Sequence, residues 1–289
     1  MPPSATHQIP NTLPLTLIVA TTPVRAASTS SPNEAATRLG IGLKGTLPWP
    51  RIKTDMSFFA RVTSRAPAAG TTNAIIMGRK TYFSVPKHLR PLAKRISVVV
   101  TRDTTGSVRD EVMKDLEARK AKLAEAAKVK AESASPSEST SRDVGDEPVT
   151  DALVTRSLEM ALSELEASYG SSGKLGKIYV IGGAEIYGLA SRLKVVDGQD
   201  RKRPVRIVLT NVVRKTGGQG DAAAAAAAAA ATEGYECDTF FPVEGLGTGT
   251  EWRTATSVEV SEWVGETVTG EWIRDGDVEV QMVGYERAD

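Results

Sequence analysis

The chain has 289 residues, 40% of them hydrophobic, with 36 Lys and Arg against 35 Asp and Glu, two His and one Cys. A net charge of +1 offers no basic field for nucleic acid and no charge block for an anionic membrane. The lone Cys237 excludes a disulfide framework or a cysteine metal cluster, and two His, at 7 and 88, are too few for most zinc or di-iron sites, so no metal is expected. No run of 18 apolar residues predicts a membrane helix. The first 16 residues hold no Lys or Arg, so no secretory or transit leader is expected.

In chain order, residues 1–14 read as a disordered, Pro-rich tail. Leu15–Ala20 is a β-branched apolar run, as are Ala74–Met77, Ile96–Val100, Ile178–Ile181 and Val205–Leu209. Runs so apolar come from strands covered on both faces. Residues 26–37 are small and polar, and read as a loop insertion.

Gly40-Ile41-Gly42-Leu43-Lys44-Gly45 has the spacing of a dinucleotide fingerprint but lacks its context, a strand before and a helix after. Pro48 and Pro50 follow instead, so the run predicts a flexible glycine-rich loop. Trp49, fixed between those prolines, suggests a lid over a cleft. Pro50 then opens a helix with Ile52, Met56, Phe59 and Thr63 at core spacing. Asp55 falls on its apolar face. It either complements the helix N-terminus or serves as a carboxyl in an apolar pocket, able to hold a cationic or amidine-like group.

Ile76-Met77-Gly78-Arg79-Lys80-Thr81 reads as strand, glycine and a helix start with two cations, a placement that calls for an anion. It is not a P-loop, since Asn73 stands where the first glycine would fall. Thr101-Arg102 ends a strand with a hydroxyl and a guanidinium, suited to a phosphate monoester. Residues 103–150 contain no aromatic. Acid–base pairs such as Asp115 and Arg119 at i,i+4 predict a solvated helix, decaying into a disordered Ser-rich tract. Ser157 caps a helix with Leu158, Ala161, Leu162 and Leu165 on one face. Gly182-Gly183 follows the Ile178–Ile181 strand and precedes another helix, allowing close approach of backbone to a ligand. Residues 216–234 hold ten alanines, 222 to 231. Val258 and Val260, then Val278, Val280 and Met282, alternate as in hairpin strands. With the low-complexity stretches set aside, about two thirds of the chain remains, enough for one α/β domain with a mainly parallel sheet and an antiparallel finish.

In this order the blocks resemble dihydrofolate reductases of the eukaryotic type. The most specific parts are Leu47-Pro48-Trp49-Pro50 with Asp55 five residues on, and Gly78-Arg79-Lys80-Thr81 with Phe83-Ser84-Val85-Pro86 after it. The resemblance implies an eight-stranded, mostly parallel sheet with helices on both faces, spanning 15–289 with insertions at 26–37, 103–150 and 216–234. It implies hydride transfer from NADPH to C6 of 7,8-dihydrofolate, with N5 protonated, by a cytoplasmic monomer open to antifolate inhibitors.

Carried over by position, the resemblance makes Asp55, Thr210 and Trp49 the catalytic set. Ile18, Val19, Met56, Phe59, Val85, Leu92, Ile181 and Tyr187 would line the substrate pocket, and Arg95 would pair with the glutamate tail. Ala20, Ile41, Gly42, Gly45 and Leu47 would meet the nicotinamide. Gly78, Arg79, Lys80, Thr81, Gly182, Gly183, Ala184, Glu185 and Ile186 would bind the pyrophosphate and its neighbours. Arg79, Thr101 and Arg102 would hold the 2′-phosphate. The Gly182–Gly183 bond is expected to be cis. Two alternatives are a pyrimidine reductase of flavin synthesis on a related fold, and a non-catalytic ligand-binding or scaffold relative. Retention of Asp55, Arg95 and Gly182-Gly183 speaks against both.

Overall fold

The computed structural model describes residues 13–25, 37–133, 147–193, 203–214 and 234–288. Most of the expected tail at 1–14 and of the insertions at 26–37 and 216–234, with the Ser-rich part of 103–150, lies outside the described residues.

The five apolar runs form strands β1 (Leu15–Arg25), β3 (Thr72–Gly78), β4 (Ile96–Val100), β6 (Leu175–Gly182) and β7 (Val205–Arg214). With β5 (Asp151–Thr155), β10 (Ile273–Asp275) and β11 (Val278–Arg287) they make an eight-strand path, β10-β11-β7-β1-β6-β3-β4-β5. From β7 to β5 every neighbour is parallel; β11 runs antiparallel to β7 and pairs with β10. This is the expected α/β domain with an antiparallel finish. Three short strands attach to its sides: β2 (Thr37–Gly42) on β1, β8 (Thr239–Phe240) on β2, and β9 (Trp252–Ala255) on β11.

Alternation along each strand sends side chains into two layers. Leu15, Leu17, Ile76, Val98, Val180 and Ile207 pack in one layer with α4 (Leu158–Leu165) and α5 (Ala184–Ser191). Ile18, Ile75, Met77, Val99, Tyr179 and Val208 pack in the other. Here they meet α1 (Lys53–Ser64), α2 (Arg79–Ser84), α3 (Ser107–Ser133) and α6 (Ser257–Val264). Two covered faces explain why these strands contain so few polar residues. Among the described residues no helix is long and apolar enough to cross a membrane.

Three expectations need correction. Val258 and Val260 lie in helix α6, not a strand: Val260, Trp263 and Val264 are buried while Val258 is exposed. A capping box fixes its start, with the Thr256 hydroxyl accepting from the Glu259 N–H and the Glu259 carboxylate accepting from the Thr256 N–H. On α1 the buried face is Ile52, Phe58, Val62 and Thr63, whereas Met56 is exposed. Helix α3 is not solvated along its length. Val108, Val112, Asp115 and Leu116 are buried, a spacing of one helical face, whereas from Glu117 to Val129 no side chain of the helix is buried. The pair read as a surface ion pair, Asp115 and Arg119, turns inward instead. Asp115 meets Arg90, and Arg119 Nη1 donates to the His88 carbonyl at 3.2 Å.

The first half of α3 is therefore a structural part of the sheet's cover. Leu116→Ala should lower the unfolding free energy by about 2–5 kcal/mol. Val129→Ala, on the exposed end of the same helix, should change it by less than about 0.5 kcal/mol. Urea unfolding of the full chain measures both; equally small losses would make α3 a solvated appendage after all.

Candidate active site

Helix α1 is pinned at both ends by side chains from the sheet. Ile52, its N-cap, has no side chain able to cap. Asp275, at the end of β10, substitutes by accepting from the Thr54 N–H at 2.6 Å. Bonds from the first-turn backbone hold the Asp275 carboxyl below its usual range. At the far end the fully buried Asn73 donates Nδ2 to the carbonyls of Thr63 and Arg65, at 3.2 and 2.8 Å. Its Oδ1 accepts from the Lys177 N–H at 2.8 Å, tying α1 to β6 as well as β3.

This clamp fixes Asp55 in the first turn of α1, half-buried. Burial raises its carboxyl above the ordinary range, and a hydrogen bond from the Thr210 hydroxyl partly opposes the rise. Thr210 is buried on β7, paired in register with Ala20 on β1. Tyr187 closes the group from below: its phenol donates to the Ile18 carbonyl at 2.6 Å. Burial, and then the nearby Asp55 charge, keep that phenol protonated. Asp55 thus lies at a helix start and is also withdrawn from water.

The side chains expected around the ligands take different places. Ala20, Phe59, Leu92 and Ile181 are half-buried against the layer that contains Ile18, Trp49 and Ile52. Val85 is half-buried just beyond α2, while Met56 and Leu47 are exposed. Val19 differs: strand alternation sends its side chain into the α4–α5 layer, so only its backbone can face this side. Trp49 is buried, with its ring edge-on to Tyr235 at 6.0 Å between centroids.

Strands β3 and β6 end side by side, with Met77 paired to Gly182. Helices α2 and α5 start there, so two helix N-termini open at one edge. The missing side chains keep the gap clear. A Cβ on Gly78 would lie 3.3 Å from Ile186 Cγ1, and one on Gly182 or Gly183 would lie 3.4 Å from Thr81 Oγ1. The Gly182–Gly183 bond is cis, and Gly182 has φ +124°, which favours glycine. Arg79 and Lys80 are exposed in the first turn of α2. Arg102 Nη2 lies 3.1 Å from Glu185 Oε2, and both side chains are exposed. Such a pair is worth no more than about 1 kcal/mol and opens easily to an incoming anion. The Thr101 hydroxyl accepts from the Asp103 N–H at 3.2 Å, turning the chain after the strand.

The glycine-rich run is not a flexible loop throughout. Gly40 and Gly42 lie in β2, and a Cβ on Gly40 would fall 2.2 Å from Cys237 Sγ. Ile41, between them, is half-buried against the α4–α5 layer. Only Lys44 and Gly45 form the tight turn, with φ 51° and 79°, closed by Leu43 and Thr46. Asp238 anchors that turn: its Oδ2 accepts from the Lys44 N–H at 2.7 Å, and this bond holds its carboxyl low. Asp238 and Asp275 are site-supporting residues that sequence reasoning missed. Asp238 sits in the recognisable Asp238-Thr239-Phe240-Phe241-Pro242 block, but nothing local in the chain names its partner.

Arg95 opens β4 and is buried, with Nη2 donating to the Ala60 carbonyl near the end of α1 at 2.8 Å. Its Nε is buried with no hydrogen-bond partner among the described residues. Burial lowers the guanidinium to about 10. The Nε atoms of Arg90, Arg119 and Arg203 are buried in the same way.

A dihydrofolate reductase family model matches residues 34–132. A dihydrofolate reductase of Aedes albopictus is 48% identical over 68 residues, 24% of this chain and 36% of that protein. Longer alignments reach the reductases of Candida albicans, 24% identical over 83% of this chain and 86% of the relative, and Pneumocystis carinii, 28% identical over 85% and 91%. The chain thus spans about a third of the mosquito relative it matches, and most of the other two. A solved Schistosoma mansoni dihydrofolate reductase shares the fold, with TM-score 0.53 at 21% identity, covering 96% of this chain and 100% of that one. From the 34–132 match to the long alignments and the shared fold, the chain is similar to dihydrofolate reductases over most of its length.

Proposed function

We propose that this chain reduces 7,8-dihydrofolate to 5,6,7,8-tetrahydrofolate with NADPH, adding a hydride at pterin C6 and a proton at N5. The observation that carries the reading is the half-buried Asp55 carboxyl bonded to Thr210. A pterin presents a 2-amino group and N3 as an amidine-like edge. Asp55 would accept from both, and bonding there feeds electron density toward N5 and makes it more basic. Thr210 keeps the carboxyl aimed at that edge. Ile18, Phe59, Leu92 and Ile181 would cover the ring and exclude water, which strengthens the charged hydrogen bonds. Arg95 would take the α-carboxylate of the glutamate tail.

The residues at the β3–β6 edge fit the cofactor. Gly78, Gly182 and Gly183 lie together beside two helix starts, where a phosphate would be received. Arg79, Lys80 and Arg102 would neutralise it, Arg102 exchanging Glu185 for a phosphate. NADPH supplies the hydride when bound; the chain's part is to hold it, keep water out and polarise the pterin. The Lys44–Asp238 bond steadies the turn that leads to Leu47 and Trp49.

Loss of absorbance at the nicotinamide band with dihydrofolate tests the reading, with NADPH expected to outperform NADH; no oxidation with either would defeat it. Asp55→Asn should cut turnover by about 10²–10⁴-fold, the usual scale of acid–base assistance, with NADPH affinity nearly intact. It should also stabilise the folded chain at neutral pH. A carboxyl raised by folding binds more protons folded than unfolded, so stability falls as pH rises above its ordinary value of 3.8. The melting-temperature gain of the variant should therefore shrink to nothing in acid below that value.

Arg95→Leu should weaken dihydrofolate by about 1.5–3 kcal/mol, as for a lost charged hydrogen-bond pair, and spare NADPH. Equal weakening of both ligands would remove Arg95 from the tail site. Asp238→Ala should leave the affinity for folate within about twofold and lower kcat, since it frees the turn without touching the pterin pocket; an unchanged kcat would show the latch to be idle.

A further inference from the structure

The tail end of the proposed substrate site depends on a single stretch of chain, residues 82–95. It leaves α2, passes Val85 and Leu92, and ends at Arg95. A short 3-10 turn at Lys87–Leu89 is its one regular feature before β4. Helix α3, the additional element between β4 and β5, grips this stretch at three points. Arg119 Nη1 donates to the His88 carbonyl at 3.2 Å. The Tyr82 hydroxyl donates to Asp115 Oδ2 at 3.3 Å. Arg90 Nε lies 3.4 Å from the same oxygen, an ion pair without the alignment of a hydrogen bond.

This pair is nearly closed to water, its side chains only 8% and 6% exposed. The Arg90 guanidinium is held further by the rings of Tyr82 and Phe83, at 5.5 and 5.0 Å from their centroids. Two buried guanidinium groups thus stand five residues apart in one loop. Arg90 is matched by a carboxylate from α3, and Arg95 retains an unused donor. Without Asp115, Arg90 would have to leave for water or compete for the substrate's anions. In either case Pro91, bonded to it, and Leu92 next along the chain would move.

We propose that Asp115 is a positioning residue for substrate: by neutralising Arg90 it sets the 85–95 stretch so that Leu92 and Arg95 meet the aminobenzoyl-glutamate tail. The inference rests on the dihydrofolate reading above and extends it to an element outside the cleft. It assigns α3 a part in recognising the tail and none in recognising the pterin or the cofactor.

The test uses the full chain and fluorescence titration with folate, with 6-methylpterin, which lacks the tail, and with NADPH. Asp115→Asn keeps an acceptor for Tyr82 and removes the charge. It should weaken folate roughly tenfold, the scale of one displaced charged hydrogen bond. 6-Methylpterin and NADPH should stay within about twofold, and steady-state assays should show KM for dihydrofolate rising with kcat little changed. Glu117→Gln, exposed on the same helix, is the control and should change nothing. Should Asp115→Asn fail to fold, the double variant Arg90→Met with Asp115→Leu removes both charges, leaves none buried alone, and should show the same selective loss. Unchanged folate affinity in a folded variant, or equal weakening of folate and 6-methylpterin, overturns the inference while the enzyme reading stands. A wild-type chain that neither binds folate nor reduces dihydrofolate overturns both.

Discussion

The cleft depends on one geometric constraint: β1, β3, β4, β6 and β7 run parallel and finish at the same edge of the sheet. Parallel strands need crossovers that cover both faces. Their C-terminal ends therefore collect backbone and helix starts in one place, the usual position for a ligand in an open α/β sheet. Thr210 beside Ala20, and Gly182 beside Met77, are consequences of that register. A one-residue slip in β7 would turn Thr210 to the opposite face. Asp55 would then lose its only side-chain hydrogen bond among the described residues, while its burial would remain.

The second requirement is to keep charge buried without letting the site collapse around it. Asp55 and Arg95 are each held away from water, and neither has an ion-pair partner among the described residues. Both costs are borne by rigid neighbours. Asp275 and Asn73 fix the ends of α1, and the Ala60 carbonyl on the same helix holds Arg95. One helix thus carries both the Asp55 carboxyl and the Ala60 carbonyl that orients the Arg95 guanidinium.

What could be read in the chain follows from where the information lies. The five apolar runs, the Ser157 cap and the Gly182-Gly183 junction are local signals, and each appears in place. Asp55 was legible because its spacing put an acid on an apolar face. Its supports were not. Asp275 lies 221 residues from Thr54, and Asp238 lies 194 from Lys44. Such partners depend on tertiary packing alone. Val258 and Val260 misled because two valines at i,i+2 fit a strand, whereas the deciding residues, Trp263 and Val264, complete a helical face from Val260. Met56 was misplaced because the buried face of α1 runs through Phe58 and Val62, one residue before the expected Phe59 and Thr63.

Helix α3 shows how composition can hide a role. Its 27 residues are highly charged and weakly amphipathic as a whole, so averaging over them predicts a solvated rod. The apolar face occupies only the first three turns, Val108 to Leu116, and there it is continuous with the core. Within that face sits Asp115, a residue that would be expensive alone and is acceptable only because Arg90 and Tyr82 meet it. A buried ion pair adds little stability over an apolar replacement, so stability alone gives it no purpose. Its effect is to permit one arrangement of the 82–90 stretch and to disfavour those that leave Arg90 unpaired. On the inference drawn above, an additional helix serves a binding site without touching the ligand, by neutralising one of two neighbouring cations.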